Sequence, residues 1–439
     1  MLKKILATFV FVAVIAGQAS ATALSDKTTS MQPGTWAELA TNGFTDAMLR
    51  INAGFIFQFA EGAVWDSISR QVLFIGGAHT TIPNEKFITY SEATNEWTQQ
   101  PSLGWFCGSD GCVHHAYDQN AINPAKGDFY HFTYGSSMTQ KLHIATGAWT
   151  RLPDSPANGS CCRGLAYFPE MGGLVLVGGG YVDFWNESTN AWSRFSPTAP
   201  YLPAYPDYFP MGDYQNFAEY NPVHKVVLFG GGNGNTDIYK LDGAGQITKL
   251  NNAAVGLGLT PARVTVDPVS GEYLVLNHDN SYYYSIFHAY DVIADTWKVL
   301  GTPLTSGHSA NSAGVIAVPI STYGVTMFLA NSPSRVFLYK HSPSAGLSGK
   351  TRRPAGNLMV HAWPNPFNSV TKLMFAGFPG IEKGALKIYD LSGKLVRDLS
   401  PKLTAGQAEL DGRALAQGVY LARLSVQGET YDYRLVLMR

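Results

Sequence analysis

The sequence predicts an all-β protein, and three observations carry that prediction. Short apolar runs end at glycine or at a polar turn, as Val72–Ile75 does before Gly76-Gly77, and their spacing leaves no room for a helix. Glycine and proline are abundant, with 45 and 24 residues. Units of this kind recur along the chain at a spacing of roughly 45 to 58 residues, within the range of propeller blades. Together these features predict a six-bladed β-propeller, with a small β-sandwich after it.

The first unit, from Val72 to Trp97, defines the repeat. Strands equivalent to Val72–Ile75 are predicted at Phe129–Tyr134, Leu174–Gly180, Val226–Gly232, Tyr273–His278 and Val325–Ala330. A first strand is predicted before each unit's glycine-terminated strand, at Ala63–Asp66, His115–Asp118, Leu165–Phe168, Ala218–Asn221, Val264–Asp267 and Ile316–Pro319. One unit alone cannot bury its apolar faces, so the units are expected to pack side by side.

An aromatic residue followed seven positions later by tryptophan recurs along the chain. The pairs are Tyr90 with Trp97, Trp185 with Trp192 and Tyr290 with Trp297, and Leu142 with Trp149 is a degenerate version. A Gly-Gly followed by spaced Tyr and Trp resembles the kelch repeat, and the resemblance covers Gly34 to Tyr339. It implies a kelch-like propeller of the galactose-oxidase type. The last two units depart from the pattern, because Asn277-His278 and Ala330-Asn331 stand at the Gly-Gly position.

The sixth unit lacks a Trp-bearing outer strand after Tyr339, whereas Trp36 precedes the first unit without a partner. We therefore expect an N-terminal strand around Trp36 to pair with the sixth blade, near Phe328 and Phe337. Such a strand would close the ring and remove an exposed sheet edge.

The first 23 residues predict a signal peptide. Lys3 and Lys4 precede an apolar stretch from Ile5 to Ala16, and Ala19-Ser20-Ala21 or Ala21-Thr22-Ala23 offers a cleavage site. No other stretch approaches the length of a membrane helix, so the chain is not expected to span a membrane. The net charge of −1 argues against nucleic acid as a partner.

Composition changes after the predicted propeller, which spans residues 30–340. Residues 341–357 are rich in Ser, Pro, Gly and basic residues and predict a linker. Residues 358–439 predict a β-sandwich with a core of Phe367, Leu386, Ile388, Val419, Leu421 and Leu435.

The motifs Pro364–Asn368, Leu386–Lys394 and Gly418-Val419-Tyr420 occur in order in this last segment. They resemble the C-terminal sorting domain of the type IX secretion system. The resemblance implies that residues 358–439 engage the secretion machinery and that the protein is secreted or attached to the outer surface of a bacterium. The terminal strand departs from the family's usual lysine-rich form.

The four cysteines form two close pairs, Cys107 with Cys112 and Cys161 with Cys162. Disulfide bonding is the expected state in an exported protein. A bridge between Cys107 and Cys112 is geometrically easy, and cross-links between the two neighbouring loops are as plausible, because bonding of adjacent cysteines requires a strained ring. Neither pair has the spacing of a metal site.

The predicted ligand-binding face is the rim formed by the loops before each first strand and between the second and third strands. The candidate catalytic residues are His114, Tyr214 and His308, and the candidate ligand-binding residues are Arg163, Asp213, Gln215, Arg263, His278 and Asn311. The arginines suit a carboxylate or sulfate, and aromatic and amide groups suit sugars. His115 is expected to pack between blades. No metal and no cofactor is predicted, since His114 and His115 point to opposite faces of a strand.

Two functional hypotheses follow. The favoured one is an exported or cell-surface module that binds a polysaccharide or a cell-surface protein. The alternative is a secreted enzyme acting on acidic polysaccharide, with a lyase preferred because a His and a Tyr near an Arg can abstract the proton alpha to a uronate carboxylate. No local sequence motif fixes reacting residues, so the sequence leaves both classes open.

Overall fold

The computed structural model describes residues 22–51, 54–77, 85–103, 115–133, 136–156, 162–198, 202–258, 262–278, 284–305, 314–342, 359–363, 365, 367–376, 384–390, 394–404, 406–426 and 429–438. The chain divides into two compact units, residues 1–344 and residues 345–439. We call them the N-terminal unit and the C-terminal unit.

The N-terminal unit starts with a short segment before its large sheets. This segment contains helix α1 (Ala23–Ser30), strand β1 (Thr35–Glu38), helix α2 (Asp46–Leu49) and a ribbon of β2 (Arg50–Ile51) and β3 (Gly54–Phe55). Thr22 caps α1 by accepting a hydrogen bond from the Ser25 N–H on its hydroxyl oxygen. Leu24, on the first turn, is fully buried in the core.

Six four-stranded antiparallel sheets follow among the described residues; five consist of four consecutive strands, and the sixth consists of three consecutive strands and β1. Sheet 1 is β4 (Val64–Asp66), β5 (Gln71–Gly76), β6 (Lys86–Ser91) and β7 (Glu96–Gln99). Sheet 2 is β8 (Asn120–Asn123), β9 (Asp128–Phe132), β10 (Thr139–His143) and β11 (Ala148–Arg151). Sheet 3 is β12 (Gly164–Phe168), β13 (Gly173–Gly178), β14 (Tyr181–Asn186) and β15 (Ala191–Arg194). Sheet 4 is β16 (Phe217–Asn221), β17 (Val226–Gly230), β18 (Ile238–Asp242) and β19 (Ile247–Lys249). Sheet 5 is β20 (Ala262–Val266), β21 (Tyr273–His278), β22 (Tyr284–Asp291) and β23 (Thr296–Gly301). Sheet 6 is β24 (Val315–Ile320), β25 (Val325–Ala330), β26 (Arg335–Lys340) and the N-terminal β1.

The predicted Trp36 strand is confirmed. Strand β1 pairs with β26 and places Trp36 opposite Tyr339. The Trp36 ring lies 5.0 Å from the Phe328 ring and 4.7 Å from the Tyr339 ring, measured between centroids. An N-terminal strand thus supplies the outer edge of a sheet whose other strands lie about three hundred residues later.

The aromatic and tryptophan pairs are cross-strand neighbours on the third and fourth strands, as predicted. Tyr90 faces Trp97, Trp185 faces Trp192, Tyr290 faces Trp297, and Leu142 faces Trp149. In the first three pairs the ring's polar tip donates a hydrogen bond to the side chain of Asn95, Asn190 or Asp295, respectively. Each acceptor has a positive φ in the turn between the two strands, a conformation that Asn and Asp tolerate. Local sequence therefore specifies this hairpin.

The predicted first strand of sheet 2 was wrong. Residues His115–Asp118 precede the sheet, and Asn120–Asn123 form the strand that pairs with β9. His115 instead packs against the rings of Phe59 and Tyr117, with centroid distances of 4.7 and 5.4 Å. Phe59 precedes sheet 1, so His115 does lie between two sheets. The error arose because an apolar, β-prone run in a connecting segment has the same pattern as a short strand.

The first strands β4, β8, β12, β16, β20 and β24 contact one another in that order, and β24 contacts β4. Backbone hydrogen bonds connect the residues just before β4 to the residues before β8 and to β24. The Glu61 N–H donates to the Tyr117 carbonyl at 2.8 Å, and the Ala63 N–H donates to the Ala317 carbonyl at 3.0 Å. Gly164 is required at one such contact, because a Cβ there would lie 2.5 Å from the Ala218 nitrogen.

The C-terminal unit contains two sheets among its described residues. One has β27 (Met359–Trp363), β28 (Val370–Ala376) and β31 (Gln407–Asp411). The other has β29 (Ala385–Asp390), β30 (Leu395–Asp398), β32 (Gly418–Val426) and β33 (Glu429–Leu437). A 3₁₀ turn, Ser400–Lys402, follows β30.

Four of the six predicted core residues of this unit, Phe367, Leu386, Ile388 and Leu435, are buried in one cluster. Leu421 is half-exposed, so its assignment to the core was wrong. Strand β32 directs Tyr420, Ala422, Leu424 and Val426 into the core, and its period of two puts Leu421 on the other face. The side chain of Val419 lies outside the described residues.

Candidate functional site

The structure describes five of the nine predicted site residues with their side chains. His114, His308 and Asn311 lie outside the described residues. His278 ends β21, and its side chain also lies outside them. The five that remain are Arg163, Asp213, Tyr214, Gln215 and Arg263, and they differ sharply in burial. Arg163 and Arg263 are 3% and 1% exposed, whereas Tyr214 is 51% exposed.

Four polar residues occupy the same position before the first strands of sheets 1 to 4. Each lies five residues before the last residue of its strand. These residues are Glu61, Asp118, Arg163 and Asn216. In sheets 5 and 6 the residues at or next to the equivalent position are the apolar Ala262 and Val315. In sheets 1, 2 and 4 the strand ends at Asp66, Asn123 or Asn221, whose side chain accepts backbone N–H groups of the following turn. This spacing is the signal that the sequence analysis missed.

Glu61 and Asp118 satisfy backbone groups of distant sheets. A Glu61 carboxylate oxygen accepts the Val264 N–H of β20. An Asp118 oxygen accepts the Ala218 N–H of β16 at 2.7 Å. Both side chains are buried, with exposures of 2% and 5%. They therefore supply hydrogen-bond acceptors to backbone N–H groups of β20 and β16.

Burial raises the pKa of both carboxyls and of a third one, Glu219 on β16. The pKa of Glu61 rises to about 7, although the Arg263 guanidinium opposes the shift. The pKa of Glu219 rises to about 8 because of burial and of the nearby Glu61 carboxylate. Burial and the carboxylates of Glu61 and Glu219 raise the pKa of Asp118. Three interacting acids thus share one weakly solvated region.

Arg263 lies inside β20 rather than before it, and its described hydrogen bonds go to protein carbonyls. Its Nε donates to the Val315 carbonyl at 3.0 Å, and its Nη1 donates to the Ala262 carbonyl at 3.3 Å. It thereby links sheet 5 to sheet 6 and lies close enough to Glu61 to favour the ionised carboxylate. Its assignment to a ligand stays a prediction.

Arg163 differs from Arg263 because buried donors of its guanidinium remain unused. Nε and Nη1 are buried without a hydrogen-bond partner. The closest acid is Asp183 on β14, with 4.0 Å between Arg163 Nη1 and Asp183 Oδ2. Asp183 is engaged by Arg194, whose Nε and Nη2 donate to its two oxygens at 2.7 and 3.1 Å. Burial lowers the pKa of Arg163 to about 10 in spite of the Asp183 charge.

Aromatic rings lie beside this arginine pair. The Arg194 guanidinium stacks over the Tyr181 ring, 4.3 Å from its centroid. Tyr181 meets Tyr208 edge to face at 6.3 Å. Burial, and then the Asp213 carboxylate, raise the pKa of Tyr208. The structure therefore brings Arg163 and Asp213, two of the predicted residues, into one region at sheets 3 and 4.

Asn216 holds this region together and was not among the predicted site residues. Its backbone N–H donates to the Cys162 carbonyl at 3.2 Å, next to Arg163. Its amide donates to the carbonyls of Gly212 and Gly231, both at 2.9 Å, and its oxygen accepts the Gly179 N–H at 3.2 Å. Gln215 beside it is half-buried and has a φ of 63°. The turn that carries Asp213, Tyr214 and Gln215 is thus fixed to sheet 3.

Within the described ranges, no group of three or more His, Cys, Asp or Glu residues could hold a metal ion. No helix among those residues is long and apolar enough to cross a membrane. The disulfide prediction stays open, because Cys107, Cys112 and Cys161 lie outside the described residues. Cys162 is buried against Tyr117.

Comparison with protein-family models gives one match in the C-terminal unit. The model for the secretion system C-terminal sorting domain covers residues 361–438, which include the motifs at Leu386–Lys394 and Gly418-Val419-Tyr420. Residues 361–438 are a secretion system C-terminal sorting domain. The sorting domain shows that the protein is exported and is secreted or attached to the surface of a bacterial cell. It also implies an interaction with the secretion machinery.

Solved structures give only distant likenesses. A structural genomics protein of unknown function from Bacteroides thetaiotaomicron VPI-5482 is 13% identical, with a TM-score of 0.43, over 71% of this chain and 73% of that one. A chain of the nidogen/laminin complex is 11% identical, with a TM-score of 0.40, over 59% and 84%. A chain of the mitotic checkpoint complex is 10% identical, with a TM-score of 0.45, over 77% and 100%. A search of curated proteins found no match.

Proposed function

We propose that the N-terminal unit is a six-bladed, kelch-like β-propeller that binds an acidic polysaccharide through Arg163, and that the sorting domain delivers it to the outside of the cell. The first strands of the six sheets contact one another in cyclic order, which supports a closed ring. The pairing of β1 with β26 supports closure by the N-terminal strand. The aromatic and tryptophan cross-strand pairs support the kelch-like assignment.

The observation that carries the binding proposal is that two buried donors of the Arg163 guanidinium, Nε and Nη1, have no hydrogen-bond partner among the described residues. A buried cation costs free energy unless an anion and hydrogen bonds compensate for its lost hydration. Arg194 already occupies both oxygens of Asp183, so the closest internal anion is engaged elsewhere. A ligand carboxylate or sulfate would supply the missing acceptors in the bidentate geometry that guanidinium groups favour.

The surroundings of Arg163 favour a sugar as the carrier of that anion. Tyr181 and Tyr208 are partly exposed beside the arginine pair, and aromatic faces pack against the apolar faces of sugar rings. Asp213 and Tyr214 are exposed on the adjoining turn and can accept or donate hydrogen bonds to hydroxyls. The combination of a cation, rings and polar groups suits a uronate or a sulfated sugar better than a neutral one.

We place this function in a binding module rather than an enzyme. Of the three residues considered for proton abstraction, Tyr214 is the one whose position is described, and it is 51% exposed to solvent. A general base needs a neighbour or a desolvated site to adjust its pKa to the reaction.

The remaining segments have other proposed roles. We assign residues 1–23 as a signal peptide for export and residues 341–357 as a linker between the two units. Residues 358–439 carry the sorting function, and a disulfide at Cys162 is expected once the protein is oxidised.

The test uses the full mature chain and three polymers: polygalacturonate, dextran sulfate and neutral dextran. We expect binding to at least one acidic polymer and none to dextran. Arg163→Met should weaken acidic binding roughly 10- to 100-fold, because it removes about 1.5–3 kcal/mol of charge-assisted hydrogen bonding. The fold-loss of affinity caused by Arg163→Met should be the same for every polymer length that fills the site.

Arg151→Met is the matched control, since Arg151 is 53% exposed and pairs with Asp154 on the surface. It removes the same charge and should leave binding unchanged. Equal losses in both variants would mean that net charge alone attracts the polymer, and the Arg163 site would be refuted. Appearance of unsaturated uronate during incubation would instead support the lyase alternative.

A further inference from the structure

A second candidate site lies in the middle of the N-terminal unit, between the first strands of all six sheets. It is a cavity of about 170 Å³, well below the roughly 300–1,000 Å³ of pockets for drug-sized ligands. Aliphatic and proline side chains form much of its wall, together with Trp65, Tyr167 and Tyr220. Any ligand there must be small and largely apolar.

Two carboxyls interrupt the apolar wall. Asp118 and Glu219 both line the cavity, and Glu61 lies close enough to each of them to raise its pKa. The side chain of Glu219 is half-buried, and it lines the cavity. The Arg263 guanidinium opposes the rise of the Glu61 pKa, and it donates hydrogen bonds to the carbonyls of Val315 and Ala262.

The aromatic residues of the wall direct their polar atoms away from these acids. Tyr167 donates its hydroxyl proton to Glu187 at 2.9 Å, and Tyr220 donates to Glu170 at 3.2 Å. The Trp65 indole N–H donates to Thr322 at 2.9 Å. The rings of Trp65, Tyr167 and Tyr220 line the cavity, and the faces of aromatic rings attract cations.

A separate observation shows that the acids are incompletely paired. Glu61 Oε2 is buried and has no hydrogen-bond partner in the described part of the chain. Three acids with one opposing guanidinium leave an excess of acceptors and of negative charge when ionised. Glu61 does not itself line the cavity, whereas Asp118 and Glu219 do. A cavity ligand that brings N–H donors and a positive charge to Asp118 and Glu219 would offset the negative charge of the group.

We propose that this cavity binds a small primary ammonium compound with a short aliphatic chain. The ammonium group donates to the carboxylates of Asp118 and Glu219, and the chain packs against the apolar wall and the rings. An organic cation fits better than a metal ion, because no described set of His, Cys, Asp and Glu residues has the arrangement of a metal site. The proposal is independent of Arg163, which does not line the cavity.

The test compares n-butylammonium with 1-butanol and butyrate by isothermal titration calorimetry on the full mature chain, at constant ionic strength. We expect n-butylammonium to bind at least tenfold more tightly than 1-butanol, and butyrate not to bind. Binding should tighten from pH 6 to pH 8.5 with release of protons, because Glu219 holds a proton up to about pH 8 in the free protein.

Glu219→Gln should weaken n-butylammonium at least tenfold and reduce the pH dependence, while Glu96→Gln on the exposed edge of sheet 1 should change neither. Asp118→Asn serves as the second variant if Glu219→Gln fails to fold. Equal affinity for n-butylammonium and 1-butanol would overturn the proposal. Unchanged n-butylammonium binding in both Glu219→Gln and Asp118→Asn would also overturn it. Loss of polysaccharide binding in Arg163→Met has no bearing on either result, so the two sites fail separately.

Discussion

The start of the first strand in sheets 1 and 2 differs from the equivalent start in sheet 3, although all three place a buried charged residue there. Glu61 and Asp118 accept backbone N–H groups of strands in other sheets. Arg163 keeps buried N–H groups without acceptors. A buried acceptor that receives backbone N–H groups is compensated for its lost hydration, whereas a buried donor without an acceptor costs stability. The comparison therefore separates two carboxyls that bind strands of other sheets from one arginine with two buried donors that lack an acceptor.

The largest expected effect is the loss of a carboxyl with partners. Glu61→Ala leaves the Val264 N–H without its acceptor and removes the carboxylate whose charge interacts with the Arg263 guanidinium. We expect the free energy of unfolding to fall by about 3–5 kcal/mol, as when one partner of a buried pair is removed. Urea denaturation measures it. Glu96→Ala is the control and should change the value by less than about 0.5 kcal/mol. A similar small change for Glu61→Ala would remove the distinction drawn between the two regions.

An intermediate effect is expected from pH. The pKa of Glu61 is about 7 in the folded protein, against 4.5 for an ordinary glutamate carboxyl, so the folded state binds this proton more tightly than the unfolded state. Stability is therefore greatest below about pH 4.5 for this group and falls as pH rises to about 7, by at most about 3 kcal/mol. Glu219 extends the decline to about pH 8.

Urea denaturation between pH 5 and pH 8 checks this expectation, with Glu61→Gln as the comparison. The variant should show a flatter dependence on pH, because it cannot ionise. Glu92 and Glu272 have lowered pKa values; their stabilisation is lost only as pH falls below about 4.5, outside this window. A wild-type stability that rises steadily from pH 5 to pH 8 would contradict the assigned environment of Glu61.

The smallest effect on stability is expected at Arg163. Arg163→Met keeps an apolar stem next to Gly178 and removes the two buried donors that lack acceptors. We expect the free energy of unfolding to stay the same or rise by up to about 2 kcal/mol, because the cost of burying these donors is removed. Thermal and urea denaturation measure it. A loss of more than about 1 kcal/mol would show that Arg163 belongs with the structural carboxyls after all.

Local patterns in the sequence determined the hairpins and the sorting domain. The aromatic residue, the Asn or Asp with positive φ and the tryptophan all lie within one hairpin, as Tyr90, Asn95 and Trp97 show. Their contacts depend on neighbours a few residues away, so spacing alone predicts them. The sorting-domain motifs are likewise continuous stretches. The pairing of the Trp36 strand is a long-range contact that the sequence also predicted, because the sixth unit lacked an outer strand.

Only the tertiary structure decided which charged residues matter. Arg163 and Arg263 have the same predicted role. Arg263 donates to the carbonyls of Val315 and Ala262, whereas Arg163 lies near Asp183, which is already bound by Arg194. Those partners come from other strands and other sheets, and a sequence does not state which sheets will face each other. The same reason explains the misplaced first strand at His115–Asp118 and the wrong face of Leu421. In each case a local pattern fitted two registers, and packing against distant residues selected one of them.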